Sequence, residues 1–216
     1  GNQIYAAAGY NVWKFINGVW VNWGLTPLQD FNQGSVVSLA LDESNNIYAG
    51  LQSGNIWEDI AGVWTNLGVE SLTTISSNAS VNSIIFDNNI LYAGTAFGNG
   101  GVYRLINGEW YKIQGAPYIV TTLAIDSANN LYAAGSSPSG VWMWINGSSS
   151  WVNMGVIPLS TLDSSLIYSM AIGQDGNLYV GTQLGNLWQL SGGEFGTWTN
   201  LNFGSGAPIL SVTMAD

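Results

Sequence analysis

A short phrase built around a tyrosine and small residues recurs five times along this chain. It reads GNQIYAA at 1–7, NNIYAG at 45–50, NNILYAG at 88–94, NNLYAA at 129–134 and GNLYVG at 176–181. Successive tyrosines are 43, 44, 40 and 47 residues apart. Periods of about 20–50 residues are typical of solenoids and propellers, in which each repeat forms one supersecondary unit. The repeat therefore restricts the chain to architectures made of five similar units.

Each unit contains four short segments rich in β-branched and aromatic residues, and Gly, Asn, Asp and Ser separate these segments. An aromatic residue follows each repeated tyrosine, and a tryptophan then ends a turn phrase such as INGVW at 16–20. Asn-Gly between apolar residues favours a two-residue hairpin, because both residues tolerate positive φ. Segments of this kind predict β-strands, and no stretch shows a helical period with caps. The sequence thus predicts four strands in each unit.

The predicted fold is all-β: a five-bladed β-propeller with four-stranded antiparallel blades, forming one domain over residues 1–216. Four strands in each period match a propeller blade. The two ends of the chain also fit each other, since SVTMAD at 211–216 joined to GNQIYAA aligns with SLALDESNNIYAG at 38–50. We therefore expect the C-terminal strand to pair with the N-terminal three strands and close the ring without a free sheet edge. An open solenoid is the alternative, but it would need capping repeats.

The blade phrase, written as D…NxLYxGT…GxVW…NGxW, resembles the divergent bacterial β-propeller repeats related to NHL, Asp-box and sensor-type propellers. The resemblance covers essentially the whole chain, and it implies a propeller fold without implying an activity. The Asp-box S-x-D-x-G-x-x-W is absent, so a sialidase is not implied, and the WD40 signatures are absent too. Five-bladed lectins similar to tachylectin share the expected blade count but not these phrases.

Composition excludes several classes of function. Only 7% of the residues are charged, and the net charge is −10. Lys14, Arg104 and Lys112 are the three basic residues, too few and too scattered to bind nucleic acid or an anionic membrane surface. No apolar run approaches the ~20 residues of a transmembrane helix, so membrane insertion is not expected. The absence of Cys and His excludes disulfides, zinc–thiolate sites and Cys or His nucleophiles. No cofactor is expected, and the polar but uncharged surface predicts a secreted or cell-surface location.

Most of the aromatic residues are expected to serve packing. Nine of the eleven tryptophans occupy the two repeated aromatic positions, which favours packing between blades over sugar stacking. Trp23 aligns with leucine, isoleucine or methionine in the other units, so it is also expected in the core. Trp144 is expected to pack as well.

The repeated acids Asp42, Asp87, Asp126 and Asp216 precede turns, for which Asx-type hydrogen bonding is the simplest explanation. Calcium would need about six to eight oxygens in a pattern that is absent, so no metal site is expected. A glycosidase would need paired carboxylates that break the repeat. The acids that break it stand in no recognisable catalytic phrase, so we expect no enzymatic activity; they are Asp30, Glu43, Glu58, Asp59, Glu70, Glu109, Asp163, Asp175 and Glu194.

Loops should alternate between the two faces of such a ring, with short, similar turns on one face and variable loops on the other. The variable loops carry neutral hydrogen-bonding groups beside aromatic side chains, which suits a glycan and suits a protein partner nearly as well. We therefore expect a non-catalytic, lectin-like binding module. A protein-interaction scaffold of a larger exported protein is the alternative, and a glycosidase-like enzyme is the third. The candidate binding residues are Tyr10, Phe31, Asn32, Gln33, Gln52, Phe97, Asn99, Tyr118 and Gln183.

Overall fold

The computed structural model describes residues 3–24, 34–67, 79–136, 139–154, 166–193, 196–204 and 206–214. These residues form five antiparallel sheets, each built from strands that follow one another along the chain. Four sheets have four strands and the first has three, so the predicted series of five strand units is confirmed.

The strands are short, as the turn spacing predicts. Sheet 1 contains β1 (Ile4–Ala8), β2 (Asn11–Ile16) and β3 (Val19–Asn22). Sheet 2 contains β4 (Val36–Leu41), β5 (Ile47–Leu51), β6 (Ile56–Ile60) and β7 (Val63–Asn66). Sheet 3 contains β8 (Ser80–Asp87), β9 (Ile90–Ala96), β10 (Gly101–Ile106) and β11 (Glu109–Ile113). Sheet 4 contains β12 (Val120–Ile125), β13 (Leu131–Ser136), β14 (Ser139–Trp144) and β15 (Trp151–Asn153). Sheet 5 contains β16 (Ile167–Ile172), β17 (Leu178–Thr182), β18 (Leu187–Ser191) and β19 (Thr197–Asn200).

The repeated turn phrases fold as predicted. Asn17 and Gly18 join β2 to β3 with φ of 50° and 85°, and Asn107 and Gly108 join β10 to β11 with φ of 54° and 81°. Positive φ at both central residues is the geometry whose twist matches that of the flanking strands. The sequence therefore sets these hairpins locally.

A glycine allows the sheets to approach each other closely. Gly50 of β5 faces Ser38, whose hydroxyl donates to the carbonyl oxygen of Val81 on the next sheet at 2.8 Å. A Cβ at Gly50 would lie 2.4 Å from Ser38 Oγ and 2.8 Å from side-chain carbons of Val81 and Ile84. A larger residue at this position would displace the side chains of Ser38, Val81 or Ile84, so glycine permits the close packing of the two sheets.

The chain divides into two compact units, residues 1–112 and 113–216. In the first, Val12 of sheet 1 packs with Ile47, Leu51 and Trp64 of sheet 2, and a second cluster joins sheets 2 and 3. In the second unit, one cluster that includes Met154 joins sheets 4 and 5. A single domain spanning both units stays a prediction.

Two repeated tryptophans form hydrogen bonds with the neighbouring sheet. Trp64 Nε1 donates to the carbonyl oxygen of Trp23 at 3.0 Å, and Trp198 Nε1 donates to that of Met154 at 2.7 Å. Each bond joins the last strand of one sheet to the residue that follows the last strand of the sheet before it. The packing role predicted for the repeated tryptophans is confirmed at these two positions.

The segment 206–214 does not form a strand, and β1 pairs only with β2 among the described residues. Closure by the C-terminal strand is therefore not shown. Ile209 nevertheless lies on sheet 5 as Val81 lies on sheet 2, because Ser169 Oγ donates to its carbonyl oxygen at 3.1 Å. This places Ser211 in register with the repeated Ser38, in agreement with the predicted match of SVTMAD to SLALDE.

Candidate functional site

Each sheet has two ends that carry different turns. In sheets 2 to 5, the turn after the first strand and the hairpin after the third lie at one end, here called the conserved end. The end of the second strand and the end of the fourth strand lie at the other, variable end. In sheet 1 the β1–β2 turn marks the variable end. The antiparallel strand order places the described turns of each sheet as predicted, whereas the division of the loops between two faces of a ring stays a prediction.

Two of the repeated aspartates at the conserved end accept hydrogen bonds from groups within their own turns. Asp42 accepts from the backbone nitrogens of Ser44 and Asn46 at 2.9 and 2.8 Å and from Asn46 Nδ2 at 2.7 Å. Asp126 accepts the three equivalent bonds, and the hydroxyl of Tyr132 donates to it at 3.1 Å. Burial, followed by the charge of Asp126, raises the pKa of Tyr132 to about 12. The predicted Asx turns are confirmed at Asp42 and Asp126. Asp87 instead ends β8 at a two-residue turn and accepts from Asn88 Nδ2 at 2.9 Å, and Asp216 lies outside the described residues. No group of three potential metal ligands occurs in the described parts of the chain.

Sheet 5 keeps this turn but moves its acid. Gly173 occupies the position of the repeated aspartate, and Asp175 accepts from Asn177 N at 3.0 Å and Asn177 Nδ2 at 2.6 Å. The hydroxyl of Tyr179 donates to the same carboxylate at 3.1 Å. The backbone hydrogen bond from Asn177 is the main reason that the pKa of Asp175 is lowered. This acid breaks the repeat in sequence but performs the same structural task.

The predicted binding residues lie at the variable ends, and the structure brings some of them together. A connector links the turns of Tyr10 and Gln52, because Val36 N donates to Gly9 O and Gln52 N donates to Ser35 O, both at 2.8 Å. Phe97 and Asn99 share the β9–β10 turn. Tyr118 and Gln183 lie at variable ends in the second unit, and both are exposed. Phe31, Asn32 and Gln33 lie outside the described residues.

The β9–β10 turn is held by hydrogen bonds from Lys112 and exposes an aromatic side chain. Lys112 Nζ donates to three oxygens: Asn99 O at 3.3 Å, Asn99 Oδ1 at 3.2 Å and Gly100 O at 2.7 Å. The Tyr103 hydroxyl donates to Asn99 O as well. Phe97 stands on this turn with φ of 63° and is 56% exposed. Asn99 therefore positions the turn through its side chain, while Phe97 is presented to solvent.

A polar cleft of about 280 Å³ lies between sheets 1 and 2, at the conserved end. Asp59 of β6 lines it and is only 3% exposed. Its Oδ2 accepts from Trp23 Nε1, whereas its buried Oδ1 has no hydrogen-bond partner among the described residues. Lys14 Nζ lies 4.3 Å from the ring centroid of Trp23 and 5.3 Å from that of Tyr5. We call this set of four residues, with the polar residues around it, the Asp59 cleft.

The Asp59 cleft replaces an apolar contact found between the other sheets. At the junction of sheets 2 and 3, Leu67 and Leu105 occupy the equivalent positions and join one apolar cluster. At the junction of sheets 4 and 5, Met154 and Leu190 do the same. The sequence predicted that Trp23 lies in the core, and it gave no role to Asp59, one of the acids that break the repeat. The missed signal was that both depart from the repeat and that such positions meet across the sheet junction.

Two further cavities accompany the sheet edges. A groove of about 430 Å³ lies along the edge of β1, between Ile4 and Tyr5 on one side and Leu39, Leu41 and Ile47 on the other. In the second unit, a cavity of about 230 Å³ lies beside the turns of β12–β13 and β16–β17. Neither cavity is lined by a predicted binding residue. None of the described residues forms a helix long and apolar enough to cross a membrane.

No family model matches the sequence, and no curated protein matches it. The solved structures that resemble the chain include the following three. YCF48 bound to D1 peptide has 16% identity and a TM-score of 0.62, over 88% of this chain and 61% of that one. The extracellular domain of a putative one-component system from B. thetaiotaomicron has 15% identity and a TM-score of 0.71, over 98% and 28%. PorZ, a bacterial surface component of the type-IX secretion system of Porphyromonas gingivalis, has 15% identity and a TM-score of 0.67, over 91% and 33%.

These neighbours are β-propeller-like proteins, so they support the propeller-like architecture predicted from the repeat. The chain spans less than two thirds of the length of each. At such low identity the likeness concerns the fold alone. The resemblance to NHL, Asp-box and sensor-type repeats finds support at this level of architecture only.

Proposed function

We propose that the chain is a non-catalytic binding module that recognises its partner through the variable ends of its sheets. The observation that carries this proposal is the braced β9–β10 turn. A non-glycine residue at φ of 63° is energetically unfavourable, and here that residue is an exposed phenylalanine. Fixing a loop before binding lowers the entropy lost on association. The turn has the properties of a preorganised anchor.

Carbohydrate is the first candidate partner. Tyr10 and Gln52 are exposed on turns held together by one connector, and Gln183 is exposed on the equivalent turn of sheet 5. Uncharged amides beside an aromatic ring match the hydroxyl groups and apolar faces of sugars. A protein segment is the second candidate, because Phe97 has no polar atom and exposed aromatic residues anchor protein interfaces. One solved neighbour is described as bound to a peptide.

Several observations support a non-catalytic role at an exported location. Asp42, Asp126 and Asp175 hold their carboxylates in local turns, so their hydrogen-bonding capacity serves the fold. Two of the structural neighbours are an extracellular domain and a bacterial surface component. We therefore place the module outside the cell, secreted or on the surface.

A glycan array tests the proposal. Saturable binding should be lost in Tyr10→Ala/Gln52→Ala and retained in Val63→Ala, which alters an exposed residue at the conserved end. Peptide display with the wild-type protein as bait and Phe97→Ala as counter-bait tests the second candidate. A protein that binds no glycan, and that selects the same peptides with and without Phe97, would refute a binding role for the variable ends.

A further inference from the structure

We propose that the Asp59 cleft is a second, separate ligand site that takes one sugar ring or a similar neutral polyol. The cleft lies at the conserved end of sheets 1 and 2, whereas Tyr10 and Gln52 lie at the variable end of the same sheets. The two sites can therefore be altered independently.

The buried carboxylate is the first reason. A charged group that is 3% exposed loses most of its contact with water, and it needs hydrogen-bond donors in compensation. Trp23 supplies one donor to Oδ2, but Oδ1 has none among the described residues. Asp59 also lines the cleft, so a ligand hydroxyl bound there can reach Oδ1 once the side chains that bury this atom move slightly. The hydroxyl group of a polyol is such a donor.

The comparison between sheet junctions is the second reason. Leu67 with Leu105, and Met154 with Leu190, show that this position of the repeat packs well with two apolar side chains. The Trp23–Asp59 pair is therefore not required by the fold. Polar groups that replace a well-packed apolar contact are expected where a protein binds a ligand.

The remaining lining defines the ligand class. Lys14 and Asp59 carry opposite charges, and the polar residues around them, including Gln3, Ser44 and Asn45, are uncharged. An anion would face the carboxylate of Asp59, and a cation would face the ammonium of Lys14. A neutral ligand with hydroxyl groups can donate to Asp59 and accept from Lys14. It can also contact the half-buried ring of Trp23, since sugars combine hydroxyls with apolar faces.

The size of the cleft limits the ligand to one ring. Its volume of about 280 Å³ lies just below the usual range for small-molecule pockets, which is about 300–1,000 Å³. Tyr5, Lys14 and Trp23 of sheet 1 and Asp59 of sheet 2 all line it, and the Lys14 ammonium lies over both rings. An oligosaccharide would have to extend outward past Asn45, which is exposed at the mouth.

Nuclear magnetic resonance of ¹⁵N-labelled protein tests the site through the Trp23 indole N–H, assigned by its loss in Trp23→Leu. Glucose, galactose, mannose and N-acetylglucosamine are titrated singly into the millimolar range. At least one should shift this signal saturably. Asp59→Asn, which keeps an acceptor for the indole, should weaken that binding at least tenfold. Asp59→Leu, which restores the apolar residue of sheets 3 and 5, should abolish it in a folded protein.

Phe97→Ala and Tyr10→Ala/Gln52→Ala should leave the titration unchanged, so this site and the variable ends can fail separately. If no sugar moves the Trp23 signal, or if Asp59→Asn binds as well as wild type, Oδ1 holds water only and the proposal is wrong. Glycan binding that is lost in Tyr10→Ala/Gln52→Ala but kept in Asp59→Leu would support the variable-end function alone.

Discussion

The coupling between Trp23 and Asp59 can be measured as a stability difference. Asp59→Leu removes a buried carboxylate and adds a buried leucine side chain, which stabilises a fold by about 1.5–3 kcal/mol. The same change leaves the indole N–H of Trp23 without its acceptor, which costs about 1–3 kcal/mol. Because the two effects oppose each other, we expect the single variant to remain within about 1 kcal/mol of wild type.

Trp23→Leu should behave very differently. It removes the donor to a carboxylate whose other oxygen is already unpartnered, so a buried charge is left without any hydrogen bond. Leaving a buried charged group without its hydrogen-bond donor costs about 3 kcal/mol or more, and we expect a loss near the lower limit because Asp59 lines an open cleft. The double variant restores the leucine pair seen at Leu67 and Leu105. Its stability should return to within about 1 kcal/mol of wild type, which corresponds to a coupling of about 2–3 kcal/mol.

Reversible urea unfolding, followed by circular dichroism, provides the four free energies of unfolding, and equal m-values show that the same transition is compared. Leu105→Asp is the matched control, because it places a carboxylate at the same repeat position opposite leucine instead of tryptophan. It should destabilise strongly. A coupling below about 0.5 kcal/mol between Trp23 and Asp59 would show that the two residues act independently, and the reasoning from the sheet junctions would then be wrong.

Four further outcomes follow from the described contacts. Phe97→Gly should leave stability equal or about 1 kcal/mol higher, because glycine adopts positive φ freely, while partner binding at the variable end falls; lower stability in thermal unfolding would contradict this. Gly50→Ala should destabilise by about 1–3 kcal/mol in urea unfolding, since its Cβ would lie 2.4 Å from Ser38 Oγ in its own sheet and 2.8 Å from Val81 and Ile84 of the next sheet. Tyr132 should resist ionisation in the folded protein, because its pKa is raised to about 12. Its contribution to the free energy of unfolding is therefore complete below about pH 10 and is lost as the pH rises through about 12. Ultraviolet absorbance of the tyrosinate, measured against pH, can follow the ionisation. Ile4→Cys/Met214→Cys should form an intrachain disulfide under mild oxidation if the C-terminal segment pairs with β1 in the predicted register; a reduced monomer after oxidation would count against closure.

The fold could be predicted from the sequence because its determinants are local and repeated. The Asn17-Gly18 hairpin and the acid-capped turn at Asp42 each depend on residues within a few positions of one another. Because the same pattern occurs in five units, a segment whose strand assignment is uncertain on its own can be assigned from its equivalents in the other units. Pairing of the tail with β1 depends on contacts far apart in sequence, and the described residues do not show it.

The candidate sites were harder to predict for the same reason. Aligning the repeats shows that Trp23 and Asp59 each depart from their own columns, but the two columns are 36 residues apart and meet only across a junction of sheets. The side chain of Lys112 reaches back to a turn 13 residues earlier, a contact that the alignment does not contain. The alignment of repeats therefore predicted the exposed turn of Phe97 without predicting what holds it in place.

The use of charge connects the two proposed sites. The chain has only three basic residues, and two of them, Lys14 and Arg104, occupy the same position of the repeat, opposite the repeated tyrosine. Lys112 braces the turn that presents Phe97, and Lys14 lies over the Trp23 ring in the Asp59 cleft. The third, Arg104, faces a repeated tyrosine across the β9–β10 ladder. The position of Lys112 holds asparagine in the other sheets, so the fold does not need a lysine there. The position of Lys14 is charged in two other sheets, where Glu58 and Arg104 occupy it, so its charge does not set sheet 1 apart. The contacts of Lys112 with Asn99 and Gly100 offer a reason for the lysine, because they hold the turn on which the proposed anchor Phe97 stands.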